Sequence, residues 1–325
     1  MGKKNLAQIA ERSGVSKSTV SRVLNNCPGV DGELREAVIN AVRSEYAATA
    51  QTETPAEICM ILPDNPKFFW DRIRDALKEN TQGLRIRTYV YSSLEKSEVL
   101  CDYFERIEHS DVKAIVFVGH AEGEAHACLT GLAQSRFLIR LCEYEPMTNA
   151  FFVGADAYDD GVRLGKALLQ SKSPEDRGCV VVVGQRRGYN CRLREQGFLS
   201  AVKDATRVVS IEAPDDLKLW PSQLARALSA IPDRISCVFC SDGMTASSCE
   251  GIRKLHYATP IRYFGFEDPP SAKRFWESGD IGALMVQDPA AQTRVALSLC
   301  KTYLEKRVYP DQKMIYVPSV LKKQL

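Results

Sequence analysis

Residues 14–26 read GVSKSTVSRVLNN. Ser16 is placed to cap a helix beginning at Lys17. At ~100° per residue, Val20, Val23 and Leu24 fall on one arc of that helix, and Lys17, Ser18, Ser21, Arg22 and Asn25 on the other. An aliphatic back needs partners, and both flanks supply them. Upstream, Asn5 and Gln8 have capping-box spacing, and Leu6, Ile9 and Ala10 give an apolar face. Gly14 suits the left-handed residue that ends a helix. Downstream, Asp31 can cap GELREAVINAVRSEY, where Leu34, Val38, Val42 and Tyr46 form an i, i+4 row. Residues 1–46 therefore read as three short helices around a small core. Two helices joined by a tight glycine turn make a helix-turn-helix, whose second helix enters the major groove of DNA. Short hydroxyls let the backbone approach a duplex, and an arginine can grip guanine with two bonds. The bland alternative is a solvated helix face in a small bundle, because Ser and Lys are common on any surface.

Charge is unevenly placed along the 325 residues. The formal net charge of +2 lies wholly within residues 1–46, which hold seven Lys/Arg against five Asp/Glu; the remainder carries 36 of each sign. Such a basic end suits a polyanion. The composition, 45% hydrophobic and 26% charged, is that of a soluble globular protein with a large core. No secretion signal is visible and no apolar run approaches the ~18 residues of a membrane span. The eleven cysteines are odd in number and lie mostly in apolar runs such as ICMIL and CVVVV, which favours reduced, buried thiols in the cytoplasm. In ISCVFCSD the pair Cys237 and Cys240 points to opposite faces of a strand and cannot jointly hold a metal. No metal and no cofactor are expected.

The stretch NLAQIAERSGVSKSTVSRVLNN, followed by GVDGELREAVINAVRSEY, resembles the DNA-binding headpiece of the lactose-repressor/galactose-repressor family. The resemblance implies that Lys17, Ser18 and Arg22 read base edges. It also implies that Ser16, Thr19, Ser21 and Asn25 contact phosphates or cap the helix. Residues 47–55 are then a linker. The family's linker is longer and carries a short helix with a leucine that wedges into the minor groove. Here AATAQTETPA contains no Leu, Ile, Met or Phe, so unstacking by an apolar wedge is not available. The expectation is a plain tether without a hinge helix.

Beyond residue 56, short β-branched runs alternate with amphipathic ones. Ten candidate strands (EICMILP, RIRTYVY, KAIVFVG, RFLIRLC, FFVGA, CVVVVGQ, RVVSIEA, ISCVFCS, IRYFGF and IGALMVQ) are separated by helical stretches, a pattern of parallel sheets covered by helices. Ten strands suit two sheets better than one. No GxGxxG and no phosphate loop follows a strand, and no nucleophile–base pair is visible at the strand ends; an enzyme is not expected. The fold class is α/β. The wording LPDNPKFFW, VGADAYDDGVRLG, RLREQGF, FCSDGMTASS and FGFEDPP…MVQDP resembles the same family's effector domain, shared with periplasmic sugar-binding proteins.

That likeness implies two doubly wound subdomains facing a cleft, residues 56–154 plus 288–311 and residues 155–287 plus 312–325, with ligand bound at the carboxyl ends of strands. Carried over position by position, it places Asp64, Phe68, Phe69, Arg194, Asp242, Glu267 and Gln287 in the effector pocket. Arg194 would clamp oxygens of the effector, and an aromatic ring would stack on a sugar face. Alternatively, Arg194 simply pairs with Glu195 or Glu267, and the two phenylalanines are core. Asp159 and Asp160 are expected to cap a helix near Gly161. Where the family has N-P-F-F this chain has an inserted Lys67, and Arg186, Arg187 and Arg192 add positive charge near the cleft. These point toward a sugar phosphate or sugar acid. The whole reading is a homodimeric regulator on a near-palindromic operator; the alternative is a sugar-binding sensor that no longer grips DNA specifically.

Overall fold

Amphipathic stretches at the start of the chain form α1 (Lys3–Ser13), α2 (Lys17–Leu24) and α3 (Gly32–Ala50). The computed structural model describes residues 3–24, 30–50, 58–64, 68–79, 86–91, 96–173, 175–184, 188–212, 220–243, 245–253 and 260–324. These divide into two units, Met1–Pro55 and Ala56–Leu325. In the first unit Ile9, Ala10, Val20, Val23, Val38 and Ala41 make a closed core. Gly14 sits at φ +66°, and the Val15 amide donates to the Ala10 carbonyl at 3.2 Å, which closes the turn between the first two helices. Asp31 caps α3 by accepting from the Glu33 amide at 2.9 Å.

Three details differ from the sequence reading. Helix α1 opens at Lys3, so Asn5 lies inside its first turn rather than at its cap. Leu34 is 44% exposed: one turn from the helix start it projects past the small core, and Ala41 fills the inward position instead. Helix α3 also runs four residues beyond Tyr46, to Ala50. Ala47, Ala48 and Ala50 keep propagation favourable across residues assigned to a linker. Residues 51–55 and the Tyr46 side chain lie outside the described residues.

The second unit holds two parallel sheets. The first contains β1 (Ile58–Pro63), β2 (Ile86–Tyr91), β3 (Ala114–Val118), β4 (Phe137–Leu141), β5 (Ala150–Gly154) and a late arrival, β11 (Met314–Tyr316), in the order β11-β5-β4-β3-β1-β2. The second contains β6 (Cys179–Gly184), β7 (Val208–Glu212), β8 (Ile235–Cys240), β9 (Arg262–Phe266), β10 (Ile281–Val286) and β12 (Val320–Lys323), in the order β12-β10-β9-β8-β6-β7. Runs such as Cys179–Gly184 are buried at every residue, because parallel strands are covered on both faces. Helices α4 (Phe68–Glu79) and α12 (Pro289–Lys306) cover one face of the first sheet, and α5 (Lys96–Glu108) and α6 (Gly123–Ser135) the other. In the second sheet α7 (Ala157–Ser171) and α8 (Tyr189–Val202) cover one face. The other is covered by α9 (Trp220–Ser229), α10 (Thr245–Arg253) and α11 (Lys273–Glu277). Cys237 and Cys240 belong to the cores on opposite faces of that sheet.

The chain crosses between sheets after β5, after β10 and between β11 and β12. The third crossing, expected near 311–312, falls between Tyr316 and Val320, because Met314–Tyr316 pairs in parallel with Phe152–Gly154. Edge strand β12 runs antiparallel to β10. Helix α7 starts four residues before Gly161 and is capped by Asp156, whose carboxylate accepts from the Asp159 amide at 3.0 Å. Asp160, buried, instead accepts from the Ser319 hydroxyl at 2.6 Å, pinning the third crossing.

Candidate functional sites

In α2 the expected division of faces is present. Val20 and Val23 are buried, Lys17, Ser18 and Arg22 exposed, and Thr19 and Ser21 half-buried. Ser16 caps the helix, its Oγ accepting from the Thr19 amide at 3.1 Å. The same oxygen lies 2.7 Å from Ser18 Oγ and 2.9 Å from Thr19 Oγ1. Three linked hydroxyls thus stand at a helix N-terminus, where free amides and the helix dipole favour anions. Asn25 lies outside the described residues.

In the second unit, functional candidates gather where strands end. Asp64 follows β1 and is exposed; Asp242 follows β8 and is half-buried. Glu267 follows β9 in the left-handed region, φ 63°, and Gln287 follows β10. The Gln287 amide donates to Glu267 Oε1 at 2.9 Å. Arg194, on α8 and 7% exposed, donates from one terminal nitrogen to the Ser241 carbonyl at 3.1 Å. Its guanidinium stacks on Phe266 at 3.9 Å, while its Nε is buried without a partner. Burial pushes the Glu267 carboxyl up to about 7, against the pull of the Gln287 bond and the Arg194 charge. The aromatic pair divides. Phe69 packs against the core of the first sheet and edge-on to Trp70. Phe68 is exposed, 5.9 Å from the Arg72 guanidinium. It lines a groove of about 540 Å³ with Pro269, Pro270, Trp276 and Lys322.

Three residues at this junction escaped the sequence reading. Glu143, just after β4, pairs with His120, just after β3, at 3.4 Å. Burial opposes its ionisation, yet the His120 bond and charge, together with Arg194 and Arg140, hold its carboxyl below the usual range. Asn190 on α8 reaches the first subdomain: its amide donates to the Cys142 carbonyl at 2.8 Å and its oxygen accepts from the Tyr144 amide at 3.1 Å. The strand-end rule applied to KAIVFVG and RFLIRLC would have found His120 and Glu143. Nothing local marks Asn190. Arg192 is exposed and stacks on Tyr189 at 5.0 Å. Lys67, Arg186 and Arg187 lie outside the described residues.

Two family models match the chain: bacterial regulatory proteins, lacI family, over residues 5–46, and periplasmic binding protein domain, over residues 144–307. The HTH-type transcriptional regulator DegA of Bacillus subtilis is 24% identical over 212 residues, 62% of this chain and 62% of that protein, so the match spans less than two thirds of that relative. The HTH-type transcriptional repressor PurR of Mannheimia succiniciproducens is 20% identical over 291 residues, 83% of this chain and 84% of that one. Among solved structures, a LacI-family transcriptional regulator from Silicibacter pomeroyi superposes with a TM-score of 0.65 at 16% identity, covering 98% of this chain and 97% of that one. GanP, a glucose-galactose binding protein from Geobacillus stearothermophilus, superposes with a TM-score of 0.72 at 17% identity, covering 83% and 98%. At these identities the likeness to the solved structures is one of fold.

Proposed function

The chain belongs to the lacI family of bacterial regulatory proteins, its headpiece followed by a periplasmic-binding-protein domain, and from that premise we propose how it works as a DNA-binding transcriptional regulator. The observation that carries the reading is the two-sided α2, with Val20 and Val23 locked in a three-helix core and Lys17, Ser18 and Arg22 turned outward. Lys17, Ser18 and Arg22 read base edges in the major groove; Ser16, Thr19, Ser21 and Asn25 hold phosphates or the helix cap. One headpiece makes few phosphate contacts, and binding that survives physiological salt needs two in register. The working form is a homodimer on a near-palindromic operator, in the cytoplasm.

Affinity for that operator is set by a sugar-class effector between the two sheets of the second unit. Arg194, Asp242, Glu267, Gln287 and Asp64 surround it, with Glu143, His120 and Phe68 from the first subdomain. The protein acts by binding, not by catalysis. An effector shifts the regulator only by preferring one arrangement of the subdomains. The Asn190 bonds to Cys142 and Tyr144 are contacts that such a shift would keep or break. Selection of duplexes from a random pool by the full chain, followed by sequencing, is expected to enrich a two-fold symmetric motif. Recovery of an unbiased pool would contradict this reading.

A further inference from the structure

Among the described residues, the strand ends at the cleft supply the carboxylates of Asp64, Glu143 and Glu267, against the cations Arg194 and His120. Arg194 is already engaged with the Ser241 carbonyl and the Phe266 ring, and its charge acts on both Glu143 and Glu267. Glu143 has further cations of its own, His120 and Arg140. Among the described residues Glu267 does not: apart from its share of Arg194, it has the neutral side-chain and backbone amides of Gln287. The other groups facing it are Asp268, itself paired with Lys322, and the Cys142 thiol. A half-buried carboxyl with only neutral hydrogen bonds and a shared guanidinium is short of a positive charge.

We propose that the effector is a hydroxylated amine, an amino sugar in chemical class, whose ammonium sits against Glu267 and Glu143 while one of its oxygens accepts from Arg194 Nε. The proposal rests on the cleft being the effector site. Each end of such a ligand meets a need. The ammonium supplies the missing charge, and a sugar oxygen satisfies the one buried Arg194 nitrogen that has no partner. A phosphate or sugar acid would set its charge against the carboxylates, contrary to the expectation drawn from Arg186, Arg187 and Arg192. Because the Glu267 carboxyl titrates at about 7, an arriving ammonium would favour its charged form and expel the proton held by the acid form.

Isothermal titration of the full chain at pH 7, in two buffers of different ionisation enthalpy, tests this. The probes are glucosamine, galactosamine, their N-acetyl counterparts, glucose, glucose 6-phosphate and spermidine. Expected is at least tenfold tighter binding of an amino sugar than of its N-acetyl form or the phosphate, with release of about half a proton. That release should vanish in Glu267→Gln, and affinity should fall in Glu143→Gln. Binding of neutral sugars without proton release, or of the phosphate, would leave the sugar reading intact and overturn the amine. Binding of spermidine alone would keep the charge preference and remove the sugar. A panel in which nothing binds would count against both.

Discussion

Glu143 and Glu267 face one guanidinium and are pushed in opposite directions, and the signs have consequences for stability. Burial, the largest influence on Glu267, raises its carboxyl from the ordinary 4.5 to about 7. The folded chain therefore holds that proton more tightly than the unfolded chain, so its contribution declines as pH rises from about 4.5 to 7. Glu143 is burdened by burial too, but His120, Arg194 and Arg140 outweigh it and lower its carboxyl; its contribution is present above the ordinary range and lost as pH falls through the lowered value. Melting curves of wild type and Glu267→Gln between pH 4.5 and 8 should diverge, wild type losing ground relative to the variant as pH rises. Parallel curves would show that Glu267 is not buried as described. At this scale a role is legible in the sequence where it is local. Ser16 and Asp31 cap the helices that their spacing assigned them. A role is not legible where it depends on distant chain: Asn190 bonds to residues 46 and 48 positions away, and Leu34, 44% exposed, projects past a core too small to take it.

Helix pairing brings a different kind of constraint. Helices α7 and α8 cross so closely that a Cβ on Gly197 would lie 2.0 Å from the Tyr158 carbonyl, and one on Gly161 2.1 Å from the Arg194 carbonyl. Both obstacles are backbone and cannot swing aside. Gly197→Ala should therefore push the helices apart, costing about 1–3 kcal/mol. It should also weaken effector binding by displacing Arg194 three residues earlier on the same helix. A variant with unchanged Tm and effector affinity would refute the close crossing. Both helices were legible from their period, but close approach is a property of a pair and left no mark on either alone. Of the twelve strands among the described residues, ten were legible as apolar, β-branched runs. Strands β11 and β12 were not, being three and four residues long and mostly half-buried or exposed. Helix α3 carries its last turn into AATA, and those residues offer alanine and threonine rather than a bulky wedge. Operator DNA bound by the full chain should run without a central kink; a sharp bend in a fluorescence bending assay would contradict this.

Across the whole chain, a three-helix unit is followed by a two-sheet unit, and the effector contacts proposed above lie where the two sheets meet. The third crossing is fixed by the buried Asp160–Ser319 bond, and Arg72 of α4 reaches the Gln287 carbonyl at 3.4 Å on the second crossing. Any ligand that changes the angle between subdomains must work against such contacts. Two-subdomain architecture was legible because nine of the first ten strands are each followed by a helix. The class of effector proposed here was not, because it depends on which side chains share a guanidinium. The claim beneath all of this is that the outer face of α2 reads DNA, and fluorescence anisotropy on the selected duplex with wild type and Arg22→Ala tests it most directly. Arg22 is exposed, so the variant should melt like wild type. Loss of a base-reading arginine costs ~1–3 kcal/mol, roughly 5- to 150-fold in affinity. A drop in that range, with relaxed preference at one base pair of each half-site, is the predicted result. Unchanged affinity and unchanged preference would contradict the account.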